Sequence, residues 1–183
     1  MSMLWRKILI FRLMLIKDGY RRGEYLRKIK MFHKQGEHCF FSPHNYGTEP
    51  YMLSFGDNVH VATGVRFITH DITAKMFQYM DSKTKYTSRI GKIEIGNNVF
   101  IGAGATILYD VKICDNIIIG AGALVNSSLL ESGVYVGIPA KKIGDFEEYM
   151  LKSKRYSQEV PWSDQDAFKI RKRKQMEHIY KFE

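Results

Sequence analysis

An apolar residue recurs at every sixth position through the centre of this chain, a spacing that fits neither an α-helix nor an ordinary strand. Phe55, Val61, Phe67, Ile95, Ile101, Ile107, Ile113, Ile119 and Val125 open successive hexads. The fifth positions hold Val59, Val65, Asp71, Val99, Ala105, Val111, Ile117, Ala123 and Leu129, so only Asp71 breaks a second apolar column. In a chain that is 45% hydrophobic, this run of apolar openers arises by chance in roughly one of 10³ sequences. Helices repeat at 3.6 and strands at 2.0, so a sustained period of six calls for short strands that turn a corner every hexad. Three hexads then close a triangular turn, the opener points inward, and a compact fifth residue fits the narrowing interior. Gly96-Asn97-Asn98, Gly102-Ala103-Gly104 and Gly120-Ala121-Gly122 supply the backbone angles that corners need. Successive turns stack as parallel strands about 4.8 Å apart, and the terminal coils need caps.

The phase is informative where it fails. A degenerate first turn runs from Gln35 to Tyr46, with Cys39 in the fifth position and Phe41 as the next opener, and the segment from Gly47 to Ser54 is two residues too long. The phase is lost after Asp71 and returns at Ile95, so residues 72–92 are expected to form a loop thrown out from a corner. Such a long aromatic-bearing loop inside a regular repeat points to function. Leu4, Trp5, Ile8, Leu9, Phe11 and Leu15, then Tyr25, Leu26, Ile29 and Phe32, predict two N-terminal helices. Asp145 to Arg155 predicts a third helix, and Ser163-Asp164-Gln165-Asp166 announces a last one from Gln165 to Tyr180. The expected fold class is all-β: a left-handed parallel β-helix of hexapeptide repeats with N-terminal and C-terminal α-helices. Its expected parts are a helical cap over residues 1–34, the β-helix over 35–144 and a helical tail over 145–183.

The formal net charge of +9 is unevenly placed: residues 1–34 carry ten Lys/Arg against two acids, 35–140 seven against nine, and 141–183 eleven against eight. Only Lys169-Ile170-Arg171-Lys172-Arg173-Lys174 hints at nucleic acid, and without stacking aromatics in a recognisable module no nucleic-acid partner is expected. The basic ends raise instead the hypothesis of a peripheral membrane contact. Cys39 and Cys114 lie far apart with no metal-ligand spacing, as expected for free thiols in a reducing compartment. The apolar run from Ile8 to Ile16 is interrupted by Arg12 and has no cleavage-like site behind it. The expected location is cytoplasmic, with the inner face of the membrane as the site of any such contact.

Three stretches carry a resemblance. Gly47-Thr48-Glu49-Pro50-Tyr51, Phe67-Ile68-Thr69-His70-Asp71 and Gly137-Ile138-Pro139-Ala140-Lys141, together with the hexads, resemble the hexapeptide-repeat (isoleucine-patch) acyltransferase superfamily over about residues 22–150. The last stretch is similar to the family's G-x-P-A-[KR] ending, and the combination looks most like sugar O-acetyltransferases of capsule and lipopolysaccharide. The resemblance implies a homotrimer with sites between neighbouring prisms, acetyl-CoA as co-substrate, no metal requirement, a saccharide acceptor, and direct transfer without a covalent enzyme intermediate.

A sugar hydroxyl attacking a thioester is helped by a base, and histidine suits that work near neutral pH. The family position for the base falls on His70. Asp71 and Glu49 are both candidates to orient it, and Glu49 lies near, though out of register with, an acceptor-binding aspartate of galactoside acetyltransferases. The same matching places Gly102 and Ala103 at the oxyanion, where those enzymes have a serine in place of Ala103. It also places Ala121 and Asn126 along pantetheine, Pro139 in the ending motif, and Lys141 and Lys142 at the CoA phosphates. Phe77, Tyr79, Tyr86 and Arg89 of the loop are candidates for holding the sugar. Sugar N-acetylation and a non-catalytic β-helix scaffold stay open as alternatives, whereas a zinc enzyme on the same coils would carry an H-x4-H pair on the regular hexads, and the one such spacing, His33 to His38, lies ahead of them.

Overall fold

The computed structural model describes residues 11–180. The predicted helix carrying Leu4, Trp5, Ile8 and Leu9 lies outside the described residues, apart from helical positions 11–15. The chain divides into two compact units, residues 1–144 and 145–183.

In the first unit the strands visit three sheets in rotation. The first face stacks Lys34–Gln35, Leu53–Phe55, Ile93–Ile95 and Val111–Ile113, the second stacks Phe40–Phe41, Val59–Val61, Val99–Ile101, Ile117–Ile119 and Gly133–Val136, and the third stacks Arg66–Ile68, Thr106–Leu108 and Leu124–Val125. All these pairings are parallel. Up to Val125, strands of the first two faces lie in hexad positions five, six and one and those of the third face in positions six, one and two, with the corners between them. All the hexad openers are buried, as is every fifth-position residue except Asp71. Both apolar columns therefore form the interior of one parallel coil.

The corners show why the sequence is punctuated as it is. The fourth hexad position has positive φ at His38, Asn58, Gly64, Asn98, Gly104, Asp110, Asn116 and Gly122, a conformation that Gly and short polar residues tolerate best. His70 occupies a fourth position without joining this set, because there the chain leaves the coil. Between the first and second faces, asparagines form a ladder: Asn58 donates to Asn98, and Asn98 to Asn116, each at 2.9 Å. Beside it Asp57, Asn97 and Asp115 accept backbone N–H groups of the preceding rung at 2.7, 2.8 and 2.7 Å. These bonds satisfy corner donors that no strand ladder reaches.

Register measures the interruptions. Ile93 pairs with Val111 and Val99 with Ile117, offsets of 18 residues (111 − 93, 117 − 99), whereas Leu53 pairs with Ile93 and Val59 with Val99, offsets of 40. The difference, 40 − 18 = 22 residues, is the excursion after His70. Lys34 with Ser54 gives 20, the two extra residues expected between Gly47 and Ser54, here taken up by a 3₁₀ turn at Pro50–Met52.

The N-terminal end of the core is aromatic, with Phe32, Phe41, Tyr46, Phe55 and Phe67 packed at centroid separations of 4.7–5.9 Å, and later rungs are filled by Ile and Val. Helix α1 (Gly19–Lys28) closes this end. Asp18 caps it by accepting the Arg21 N–H at 2.8 Å, and its buried stripe is Gly19, Arg22, Gly23 and Leu26. Arg22 was counted among the basic N-terminal charges, yet it is 3% exposed and donates to the carbonyls of Phe41 (2.5 Å), Ser42 (2.9 Å) and Ile16. At Gly23 a Cβ would lie 2.3 Å from the Cys39 carbonyl oxygen, so the helix rests on bare backbone. Gly23→Ala is expected to cost about 1–3 kcal/mol, read as a lowered Tm in thermal unfolding; an unchanged Tm would mean that α1 is not seated on the coil.

The second unit contains helices α3 (Phe146–Glu159) and α4 (Phe168–Tyr180), neither with a buried residue. The last helix starts at Phe168, later than the expected Gln165. Asp166 accepts the Ser163 N–H at 3.0 Å and Ser163 Oγ accepts the Gln165 N–H at 3.1 Å, closing a turn where a cap was expected. Much of the basic run is neutralised locally: Arg171 pairs with Asp164 and Lys174 with Asp166, each at 3.0 Å. Among the described residues, no helix is long and apolar enough to cross a membrane.

Candidate active site

The strand Arg66–Ile68 runs on through buried Thr69 to His70. With Phe67 and Thr69 buried, alternation sends Arg66, Ile68 and His70 to the outer side. The excursion leaves through a short antiparallel clasp: Gly91 N–H donates to the Thr69 carbonyl at 2.8 Å, His70 bridges Ile90, and Asp71 N–H donates to the Arg89 carbonyl at 3.1 Å. The histidine is therefore anchored by backbone on both sides.

Glu49 reaches it from the turn after Gly47. Its Oε2 lies 2.8 Å from His70 Nδ1 and accepts the hydroxyls of Thr69 at 2.6 Å and Thr48 at 2.8 Å. The Thr69 hydrogen bond, helped by those of Thr48 and His70, holds the Glu49 carboxyl below its ordinary range against the opposing effect of desolvation. An ionised Glu49 keeps a proton on Nδ1 and leaves the Nε2 lone pair available. The imidazole side chain is 34% exposed and that of Glu49 16%, so the imidazole opens to solvent and its partner is sheltered.

Asp71 is not at the imidazole. It accepts the Thr73 N–H (3.2 Å) and hydroxyl (2.7 Å) on one oxygen and the Tyr109 hydroxyl (2.9 Å) on the other, and these bonds keep its carboxyl low. Asp71 thus bonds the first residue of helix α2 (Thr73–Met80), which lies in the segment expected to form a loop. Of the two orienting candidates, the geometry brings Glu49 to His70 and uses Asp71 to seat the excursion. Tyr109 and Asp110 were not picked from sequence, yet they complete that base: Arg89 pairs with Asp110 at 2.8 Å and lies over the Tyr109 ring at 5.1 Å. Of the loop aromatics, Phe77 and Tyr86 pack on each other at 5.7 Å, and Tyr79 is 94% exposed.

The CoA candidates lie elsewhere on the coil. At the corners between the second and third faces, Gly102, Gly104 and Gly122 donate their N–H groups to neighbouring rungs at 2.8–2.9 Å. The exposed Ala103 and Ala121 donate theirs to no backbone carbonyl among the described residues. A Cβ at Gly102 would lie 2.5 Å from the Ala121 nitrogen, which is why the corner tolerates only glycine there. Asn126 is exposed in the next corner, and Pro139 lies in the exposed turn that reverses the chain into an antiparallel strand, Lys141–Gly144. Lys141 is exposed, whereas Lys142 pairs with Glu131 at 2.5 Å. Within one chain, His70 and Ala103 stand at opposite ends of the third face, on the order of 15 Å apart at strand rise.

Residues 92–127 match the bacterial transferase hexapeptide (six repeats) family. The chain is 35% identical over 133 residues to Protein CapG of Staphylococcus aureus, spanning 71% of this chain and 76% of that protein. Among solved structures it is similar to a galactoside acetyltransferase in complex with coenzyme A (TM-score 0.57, 20% identity, 90% of this chain and 86% of the other). A maltose O-acetyltransferase from Clostridium difficile 630 is also similar (TM-score 0.53, 22% identity, 78% and 84% covered). At these identities the structural matches speak for the shared fold.

Proposed function

Since the chain belongs to the hexapeptide-repeat acyltransferase superfamily, we propose that it is an acetyl-CoA-dependent O-acetyltransferase acting on a sugar hydroxyl, in surface polysaccharide biosynthesis. Its coil is then the left-handed β-helix of that superfamily. The observation that carries the reading is the His70–Glu49 pair, a solvent-open imidazole whose inner nitrogen is fixed by an ionised, threonine-held carboxylate.

In this reading His70 Nε2 takes the hydroxyl proton as the sugar oxygen attacks the thioester carbon. Glu49 steadies the imidazolium that forms. The negative charge arising on the thioester oxygen meets an outward N–H at the Ala103 corner, in place of the serine hydroxyl of galactoside acetyltransferases. Collapse breaks the carbon–sulfur bond, and His70 returns its proton to the departing CoA thiolate, so no covalent enzyme intermediate is needed. Ala121 and Asn126 line the pantetheine path, and Lys141, beyond Pro139, meets the CoA phosphates. Lys142 joins it by exchanging its surface pair with Glu131. The separation of His70 from Ala103 along one chain supports a homotrimer in which one protomer's base faces its neighbour's CoA groove.

Calorimetric titration with CoA tests this without knowledge of the acceptor. About one saturable site per chain is expected, with affinity about 3- to 10-fold weaker in Lys141→Ala, the size of one exposed charge-assisted contact. No saturable binding to the unsubstituted protein would move the reading to a scaffold.

A further inference from the structure

The outer row that ends at His70 begins at Arg66, and Arg66 borders a cavity of about 420 Å³ that runs along the third face from Thr63 to Ile68, two residues short of His70. Its walls include Ser42, His44, Asn45, Gly47, Arg66 and Ile68, and no acidic residue lines it. Arg66 is exposed, and its guanidinium donates to the Thr106 hydroxyl at 3.0 Å but forms no ion pair among the described residues. His44 adds no second cation: its Nε2 lies 2.9 Å from the Arg22 guanidinium, and burial, then that charge, hold its pKa below the ordinary range.

The excursion adds to the same sign of charge. Residues 72–92 hold Lys75, Lys83, Lys85, Arg89 and Lys92 against Asp81 alone, five of the seven cations found between residues 35 and 140. Arg89 and Lys92 are paired with Asp110 and Glu94, while Lys75, Lys83 and Lys85 form no ion pair among the described residues. A coil that is otherwise acidic thus concentrates uncompensated positive charge on the excursion that departs at His70.

We propose that the acceptor is an anionic saccharide, bearing a phosphate or carboxylate that Arg66 binds while a hydroxyl of the same molecule meets His70. Residues 66 and 70 are four apart on an extended segment, about 13 Å between Cα atoms. The length of the arginine side chain closes this span to roughly that of one sugar ring and its substituent. The planar guanidinium suits either anion in a bidentate contact. Arg66 is thereby a specificity residue. The substrate class rests on the acetyl-transfer reading above, whereas the anion site does not.

Two readouts separate them. Saturation-transfer NMR on the full chain without acetyl-CoA compares galactose, galacturonic acid and galactose 1-phosphate; thiol release with acetyl-CoA then compares the same three as acceptors. At least one charged sugar is expected to bind about 10- to 100-fold more tightly than galactose, with the preference collapsing toward one in Arg66→Gln and partly returning in Arg66→Lys. Which charged sugar leads identifies phosphate or carboxylate. Equal binding of all three, or a charge preference that survives Arg66→Gln, would overturn the anion site. Arg66-dependent binding with no thiol release from any sugar would leave the site standing and remove acetyl transfer to sugars of this kind.

Discussion

Replacing His70 by alanine is expected to lower turnover about 10²- to 10⁴-fold, the usual loss when a general base is removed. CoA affinity should stay within about twofold, because in the proposed reaction His70 meets the acceptor hydroxyl, whereas the pantetheine and phosphates are held by other residues. The imidazole's side-chain partners are Glu49 at 2.8 Å and, more distantly, the Thr48 hydroxyl at 3.4 Å, and it is a third exposed, so the variant should fold and allow a clean kinetic comparison. Steady-state rates with saturating acetyl-CoA, beside CoA titration of the same preparation, make the measurement. Turnover near that of the unsubstituted enzyme would remove His70 from the chemistry.

Glu49→Gln should lower turnover about 10²- to 10³-fold while leaving the KM for acetyl-CoA almost unmoved. A neutral amide cannot steady the imidazolium, and when its NH₂ faces Nδ1 it favours the tautomer in which Nε2 carries the proton and cannot act as a base. The same carboxylate has a stability signature. Because its folded pKa is depressed, chiefly by the Thr69 hydroxyl, its contribution is present above its ordinary value near 4.5 and is lost as pH falls through the lower folded value. The Tm advantage of the unsubstituted protein over Glu49→Gln should therefore be full at about pH 6 and shrink toward about pH 3. An advantage that grew on acidification, or a variant with normal turnover, would remove Glu49 from its place as the charged partner.

Much of the coil was legible because each hexad repeats one physical demand. An opener such as Ile107 and a fifth residue such as Ala105 must both be apolar to meet in the interior, and two columns in phase are hard to produce otherwise. The corners were legible for a similar reason, since Asn98 and Gly104 sit where positive φ is needed. What stayed hidden depends on partners remote in sequence. Arg22 read as one more surface cation, because nothing local announces that the carbonyls of Phe41 and Ser42 will converge on it. Asp71 and Glu49 were equal candidates beside His70, and only the fold shows that Asp71 turns to Thr73 and Tyr109. Helix α2 was missed because its eight residues carry too little periodicity to stand out from a loop, and Ile72 at its N-cap offers no capping side chain.

The clasp from Thr69 to Gly91 separates two kinds of evolutionary change. Rungs on either side stack as though nothing lay between them: Phe67 still pairs with Ile107 and Val61 with Ile101, so the interior is blind to the length and composition of the detour. The residues inside the clasp, 72–88, can therefore be exchanged, lengthened or trimmed like a cassette while His70 and Glu49 keep their geometry. The same splice points offer a protein engineer a place to graft a new segment without redesigning the core.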